Sequence, residues 1–180
     1  MAVFDRNFEE IISSQMVCTL VGLFSGTMLA IYLQKTLLVP GMLILLPGFL
    51  EMRGNISGSF ASRLSSGLFL GVIRPDRYRT KIIKGNLTAS FLLAIFISLM
   101  LGVMAFLFSL FVFGIFAPHI ILIPVAAGII ANVIEIPLTL FTTFYLFRKG
   151  HDPNNIMGSL VTSTGDITSI LSLLFVMVMI

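Results

Sequence analysis

Charged residues and cysteine are both scarce in this sequence of 180 residues, and each shortage excludes a class of protein. Asp, Glu, Lys and Arg together make up 11% of the chain, whereas they make up about 25% of a typical soluble protein. Apolar residues make up 57%, and the mean hydropathy is +1.07. The composition therefore indicates an integral membrane protein.

The single cysteine, Cys18, excludes an intramolecular disulfide. The sequence also has no Cys-x-x-Cys motif and no Cys/His cluster of the kind that binds zinc or an iron–sulfur centre. We therefore expect neither redox chemistry nor a resident cofactor.

Hydropathy divides the chain into five apolar stretches, each long enough for a bilayer that takes roughly 20 residues per helix. The spans are predicted at residues 11–34, 40–72, 86–114, 119–147 and 153–180. With loops this short, we expect residues 1–180 to form one membrane domain without a soluble regulatory domain. The predicted fold class is an all-α integral membrane protein with five transmembrane helices.

The loop between the second and third spans carries five of the eleven basic residues: Arg74, Arg77, Arg79, Lys81 and Lys84. Basic loops stay in the cytoplasm, so the amino terminus is predicted to lie inside and the carboxyl terminus outside. Because the charges flank apolar spans, they indicate attraction to lipid headgroups rather than nucleic-acid binding.

Five ionisable side chains fall inside predicted spans: Glu51, Arg53, Arg63, Glu135 and Asp166. A charged group at a helix centre costs roughly 2.5–3.5 kcal/mol, so such groups usually face a bundle interior or a watery path. We expect Arg53 to lie near a membrane interface and Arg63 to extend toward one. The carboxylates are candidate functional residues.

The second span carries a polar stripe. Its members recur every three or four residues and share one helix face: Glu51, Asn55, Ser59, Ser62 and Ser66. Asn55, deep among small residues, is the strongest functional candidate, and Glu51 and Ser59 are candidates to line a path. Glycines and serines nearby would permit a kink that frees carbonyl oxygens for a hard cation.

The fifth span begins at Asp152 and Pro153, a cap and a residue suited to the first turn. Asp166 lies in mid-span with no basic neighbour on its own helix, among hydroxyls that include Thr162, Thr164 and Ser169. Of these, Thr162 and Ser169 are predicted to share its face. A carboxylate with oxygen neighbours suits a hydrated hard cation.

The fourth span carries a second polar stripe: Asn132, Glu135, Thr139 and Thr142. Pro137 is predicted to break the helix beside Glu135. The stripe either lines the same path as Asp166 or makes a structural polar contact to the second or fifth span. Both interpretations stay open.

Two ordered motifs resemble those of the MgtE family and its eukaryotic solute-carrier relatives, which are divalent-cation transporters with a five-helix membrane domain. The first runs from Pro47 to Gly67 and contains LEMRGNISGSFASRLSSG. The second runs from Asp152 to Phe175 and reads DPNNIMGSLVTSTGDITSILSLLF. At residues 53–55 this chain has Arg-Gly-Asn where bacterial members have a double glycine, which brings it closer to the solute-carrier branch.

The resemblance implies that Asp166 holds the transported ion, for which Mg²⁺ is the first candidate, with Thr162 and Asn55 supplying further oxygens. It also implies a pore between two five-helix units, either a homodimer or a heterodimer with a similar half, in the plasma membrane.

Two other functions stay open beside divalent-cation transport. A subunit of a heteromeric transporter would supply no ion site of its own, and a metal-dependent enzyme acting on lipid would need clustered acidic residues near one membrane face. The acidic residues here are dispersed.

Overall fold

The chain forms five long helices, as predicted. The computed structural model describes residues 5–37, 39 and 41–179, without the side chains of residues 33 and 35–37. The predicted span ends at residues 40 and 180 lie outside the described residues. The helices are α1 (Arg6–Leu37), α2 (Met42–Phe69), α3 (Lys81–Phe113), α4 (Leu122–Arg148) and α5 (Pro153–Met179), and a 3₁₀ turn at Pro118–Ile121 leads into α4.

Capping side chains fix where α3 and α5 begin. The carboxylate of Asp152 accepts the backbone N–H of Asn154 at 2.9 Å, and Pro153 is the first residue of α5, as predicted. The hydroxyl of Thr80 accepts the backbone N–H of Ile83 at 3.3 Å, so α3 begins five residues before the predicted span. Hydropathy misses this first turn because it carries basic residues.

Four of the described helices are long and apolar enough to cross a membrane: α1, α3, α4 with its 3₁₀ turn, and α5. The helix α2 is less apolar because Glu51, Arg53, Arg63 and a run of small polar residues interrupt it. It nevertheless lies at the centre of the bundle, in contact with α3, α4 and α5. Five membrane spans were predicted, and α2, which carries the polar stripe, is the predicted span that is not among these four.

The helices pack around α2 and α5. The helix α5 contacts α1, α2 and α4, whereas α3 packs against α2 and α4. The helix α1 contacts α5 almost exclusively, and among its described side chains only Cys18 and Ser25 are buried. It is therefore a peripheral helix that rests on α5.

Small residues let α3 lie close to its neighbours. Its buried face contains Ser90, Ala94, Ser98, Gly102, Ala105 and Ser109. The tightest point is Gly102, where an added Cβ would lie 2.5 Å from the carbonyl oxygen of Ile121. Close backbone approach through small residues is the usual way in which membrane helices gain packing contacts.

Three segments meet at one end of the bundle: the start of α1, the basic α2–α3 loop and the α4–α5 loop. The Arg148 Nε donates to the carbonyl of Pro75 at 2.7 Å, and Arg6 donates to the carbonyl of Gly150 at 2.5 Å. Helices that alternate in direction place these three segments at the same end, because α1, α3 and α5 begin there and α2 and α4 end there. The helices α2 and α5 are consequently antiparallel.

Candidate functional site

The polar stripe of α2 points away from the bundle. All five of its members are exposed, whereas Ile56 and Phe60, on the opposite face of the helix, are buried. The helical spacing predicted that the five would share a face, and they do. The sequence alone did not indicate that this face lies on the outside of the chain.

The helix α5 extends this polar surface. Thr162 is exposed and Asp166 is half-buried. A Cβ added to Gly54 would lie 3.5 Å from the Thr162 hydroxyl oxygen, so α2 and α5 approach closely there. Because the helices are antiparallel, Asp166, one turn beyond Thr162, reaches the level of Glu51, and these two carboxylates interact electrostatically. The outer polar face comprises Glu51, Asn55, Ser59, Ser62, Ser66, Thr162 and Asp166.

The outer polar face offers oxygen atoms of three kinds: carboxylate, amide and hydroxyl. The Asn55 Nδ2 donates to Oε1 of Glu51 at 3.1 Å rather than to Asp166, and Thr162 donates to the carbonyl of Gly158 at 3.0 Å. Such oxygens are the ligands that hard dications prefer. Among the described residues, no three His, Cys, Asp or Glu side chains lie close enough together to hold a metal ion. One chain therefore brings only the Glu51 and Asp166 carboxylates to this face.

Glu135 belongs to a second, inner polar system. Its side chain is fully buried, and its carboxylate oxygens lie 3.0 Å from the Thr164 hydroxyl and 3.3 Å from the Thr168 hydroxyl. Of the two interpretations left open by the sequence, the structure shows a polar contact between α4 and α5. Thr168 was not predicted as a site residue, although its spacing of four residues from Thr164 was a usable signal. The predicted break at Pro137 is wrong, since α4 continues through it.

The predicted location of Arg53 near a membrane interface is also wrong. Its side chain is fully buried between α2 and α4, where Nη1 donates to Oδ1 of Asn132. Its Nε and Nη2 have no hydrogen-bond partner among the residues that the structure describes. Arg53 lies two residues from Glu51, about 200° around the helix, and therefore points inward where Glu51 points outward.

Ser169 does not lie on the outer polar face either, contrary to its predicted place beside Asp166. It is fully buried, and its hydroxyl has no hydrogen-bond partner in the described ranges of the chain. The helices cross, so the side of α5 that is open at Thr162 is covered further along by the first turns of α2. Met42 and Leu46 of α2 belong to the same buried cluster as Leu173 of α5.

Arg63 connects α2 to α3 and does not simply extend toward a membrane interface. Its Nε donates to Oδ1 of Asn86 at 2.8 Å, and its Nη2 donates to the hydroxyl of Ser90 at 2.9 Å. Both partners lie near the start of α3. Arg63 therefore has a structural role near the basic end of the bundle.

The fold and the site together define a class of protein. Ionisable groups in the middle of membrane helices are rare and usually mark ion or substrate pathways. Here two carboxylates lie among amide and hydroxyl oxygens at mid-helix, on a bundle whose other exposed side chains are largely apolar. The class is that of a helical membrane protein that handles a cation.

Comparison with known families agrees with this class. A sequence model of the MgtE family, described as divalent cation transporter, matches residues 46–176, nearly three quarters of the chain. The chain belongs to the MgtE family, a family of transporters rather than enzymes. The match includes both motifs and every residue of the outer polar face. No curated protein and no solved structure matches the chain.

Proposed function

We propose that this chain transports Mg²⁺ across the plasma membrane through a pathway between two copies of itself. Each copy contributes its outer polar face to the pathway. Asp166 holds the ion, and Thr162 and Asn55 contribute oxygens near it. Glu51 and Ser59 line the path on either side of Asn55.

The exposure of the outer polar face is the observation that carries this proposal. In contact with lipid, Glu51 and Asp166 as ions would together cost about 5–7 kcal/mol per chain, at roughly 2.5–3.5 kcal/mol for each charge. A second copy related by a two-fold axis along the membrane normal covers the same face and keeps both chains in one orientation. The polar residues then border water between the chains instead of hydrocarbon.

The same two-fold axis supports a dication as the cargo. It brings two copies of Asp166 toward each other, so that two carboxylates and several neutral oxygens face one space. Mg²⁺ loses its water reluctantly and is usually bound by one or two carboxylates with waters retained. A site with so few protein oxygens per chain suits this ion.

The orientation in the membrane follows from the basic end of the bundle. The α2–α3 loop and the first turn of α3 together carry five basic residues, and they lie beside Arg148 and Lys149 at the end of α4. By the positive-inside rule this end is cytoplasmic. The amino terminus then lies inside and the carboxyl terminus outside.

The test is Mg²⁺ uptake into proteoliposomes that contain this protein alone. Asp166→Asn keeps the size of the side chain but removes its charge, and we expect it to lower uptake at least tenfold. The matched control is Asp76→Asn, which alters a carboxylate that is not part of the outer polar face and is paired with Arg74 of the basic loop at 3.2 Å. We expect the control to transport like the native protein.

Two results would overturn the proposal. Native uptake rates in Asp166→Asn would remove this residue from the pathway. A well-folded native protein that passes no dication would point instead to half of a heteromer, or, if the purified protein forms a lipid product, to a membrane enzyme.

A further inference from the structure

We infer that Arg53 and Glu135 form a buried, charge-compensated pair that sets the electrostatic potential at Asp166 and thereby the affinity of the cation site. This inference rests on the function proposed above. Neither residue lies on the outer polar face, and both side chains are 0% exposed. The pair acts on the ion through Asp166 without touching the ion.

Arg53 needs an anion nearby. A guanidinium stays protonated in proteins, so it cannot avoid the cost of burial by losing its charge. Within the described part of the chain, the Arg53 side chain makes one hydrogen bond, to Asn132, and its Nε and Nη2 have no partner. A buried charge of this kind is tolerated only when an opposite charge compensates it.

Glu135 is the compensating anion. It lies three residues after Asn132 on α4, so it is on the same helix face one turn further along. Arg53 and Glu135 interact electrostatically. Among the described residues no carboxylate comes within 4.0 Å of Arg53, so the pair acts through the apolar interior rather than by direct contact.

The pair reaches Asp166 through α5. The Glu135 carboxylate contacts Thr164 and Thr168, which lie two residues before and two residues after Asp166. Glu135 also interacts electrostatically with Asp166.

Arg53 adjoins Gly54, and a Cβ added to Gly54 would lie 3.5 Å from the hydroxyl oxygen of Thr162, one turn before Asp166. The two buried charges therefore act on Asp166 with opposite sign. Without the negative charge of Glu135, the positive charge of Arg53 would remain and would repel a dication at Asp166.

The test compares a single and a double variant. Glu135→Gln keeps the size of the side chain and retains groups that hydrogen-bond to the two threonines, so it changes mainly the charge. A unit charge about 10 Å from a dication alters its binding by about fourfold to sixteenfold at dielectric constants of about 80 to 40. We therefore expect Glu135→Gln to raise the half-saturating Mg²⁺ concentration of uptake by about that factor.

The double variant Arg53→Met/Glu135→Gln removes both charges, so we expect it to return to within about twofold of the native value. The control is Arg63→Met, which removes an arginine of the same helix that binds α3. We expect this control to keep the native half-saturating concentration. The melting temperatures of the detergent-solubilised proteins are measured alongside. Glu135→Gln should melt at a lower temperature than the double variant.

A purely structural role predicts the reverse order, because the double variant loses more contacts than the single one. A double variant that is no better than Glu135→Gln overturns the inference. If Glu135→Gln does not fold, a double variant that does fold supports the pair, and one that also fails overturns it. Absence of uptake by the native protein would overturn the proposed transport function, while the order of stabilities would still decide whether the charges compensate each other.

Discussion

Replacing Gly102 with alanine is expected to destabilise the bundle, although alanine favours helices more than glycine does. The added Cβ would lie 2.5 Å from the carbonyl oxygen of Ile121, 2.9 Å from its Cα and 3.0 Å from Cγ of Pro124. Two of these atoms belong to the backbone, so the start of α4 would have to shift. Overpacking of this kind costs about 1–3 kcal/mol. The gain in helix propensity, about 1 kcal/mol at most, offsets part of this cost, and we expect the free energy of unfolding to fall by up to about 2 kcal/mol.

The matched control is Gly85→Ala in the same helix, where an added Cβ would have no atom within 4 Å. At this position only the higher helix propensity of alanine acts, so we expect the free energy of unfolding to rise by about 0.5–1 kcal/mol. The measurement is reversible unfolding of the purified protein in mixed micelles with increasing denaturing detergent. If Gly102→Ala proves as stable as Gly85→Ala, the close approach of α3 to the start of α4 is not present in the folded protein.

Two further predictions concern the surfaces of the bundle. In a Cys18→Ala background, Ser59→Cys on the outer polar face should form a disulfide-linked dimer in membranes. The control, Leu93→Cys on the exposed side of α3, should not. Equal cross-linking of the two variants would contradict the proposed interface. Glu10→Ala should lower the free energy of unfolding by about 2 kcal/mol, because the Glu10 carboxylate has three hydrogen-bond partners, His151, Asp152 and Asn155, that connect α1 to the α4–α5 loop and α5. The control is Glu9→Ala at the neighbouring, exposed position, and it should leave the free energy of unfolding unchanged.

Much of the fold could be predicted because membrane helices carry strong local signals. Apolar stretches placed all five helices, and the Asp152–Pro153 pair fixed the start of α5. The spacing of the α2 stripe was also sufficient to predict that its members share a face. Each of these features depends on neighbours within one or two helical turns, which a sequence displays directly.

The direction in which each polar face points could not be predicted. The helix α2 has two polar faces, one with Glu51 and one with Arg53, and periodicity does not indicate which of them faces the bundle. The answer depends on Asn132, which lies 79 residues after Arg53 and meets it only through tertiary packing. The burial of Ser169 likewise depends on where α2 crosses α5, which no local pattern contains.

The helix α5 separates the two polar systems, and this explains how Asp166 keeps its orientation. Thr164 and Thr168 lie about 200° around the helix from Asp166, so hydroxyls that contact Glu135 on the inside direct the carboxylate toward the outside. Rotation of α5 to bring Asp166 inward would break both contacts to Glu135. It would also place a second carboxylate beside Glu135 in the apolar interior, where Arg53 is the compensating charge. The inner system thus favours the outward position of the carboxylate to which we assign the ion.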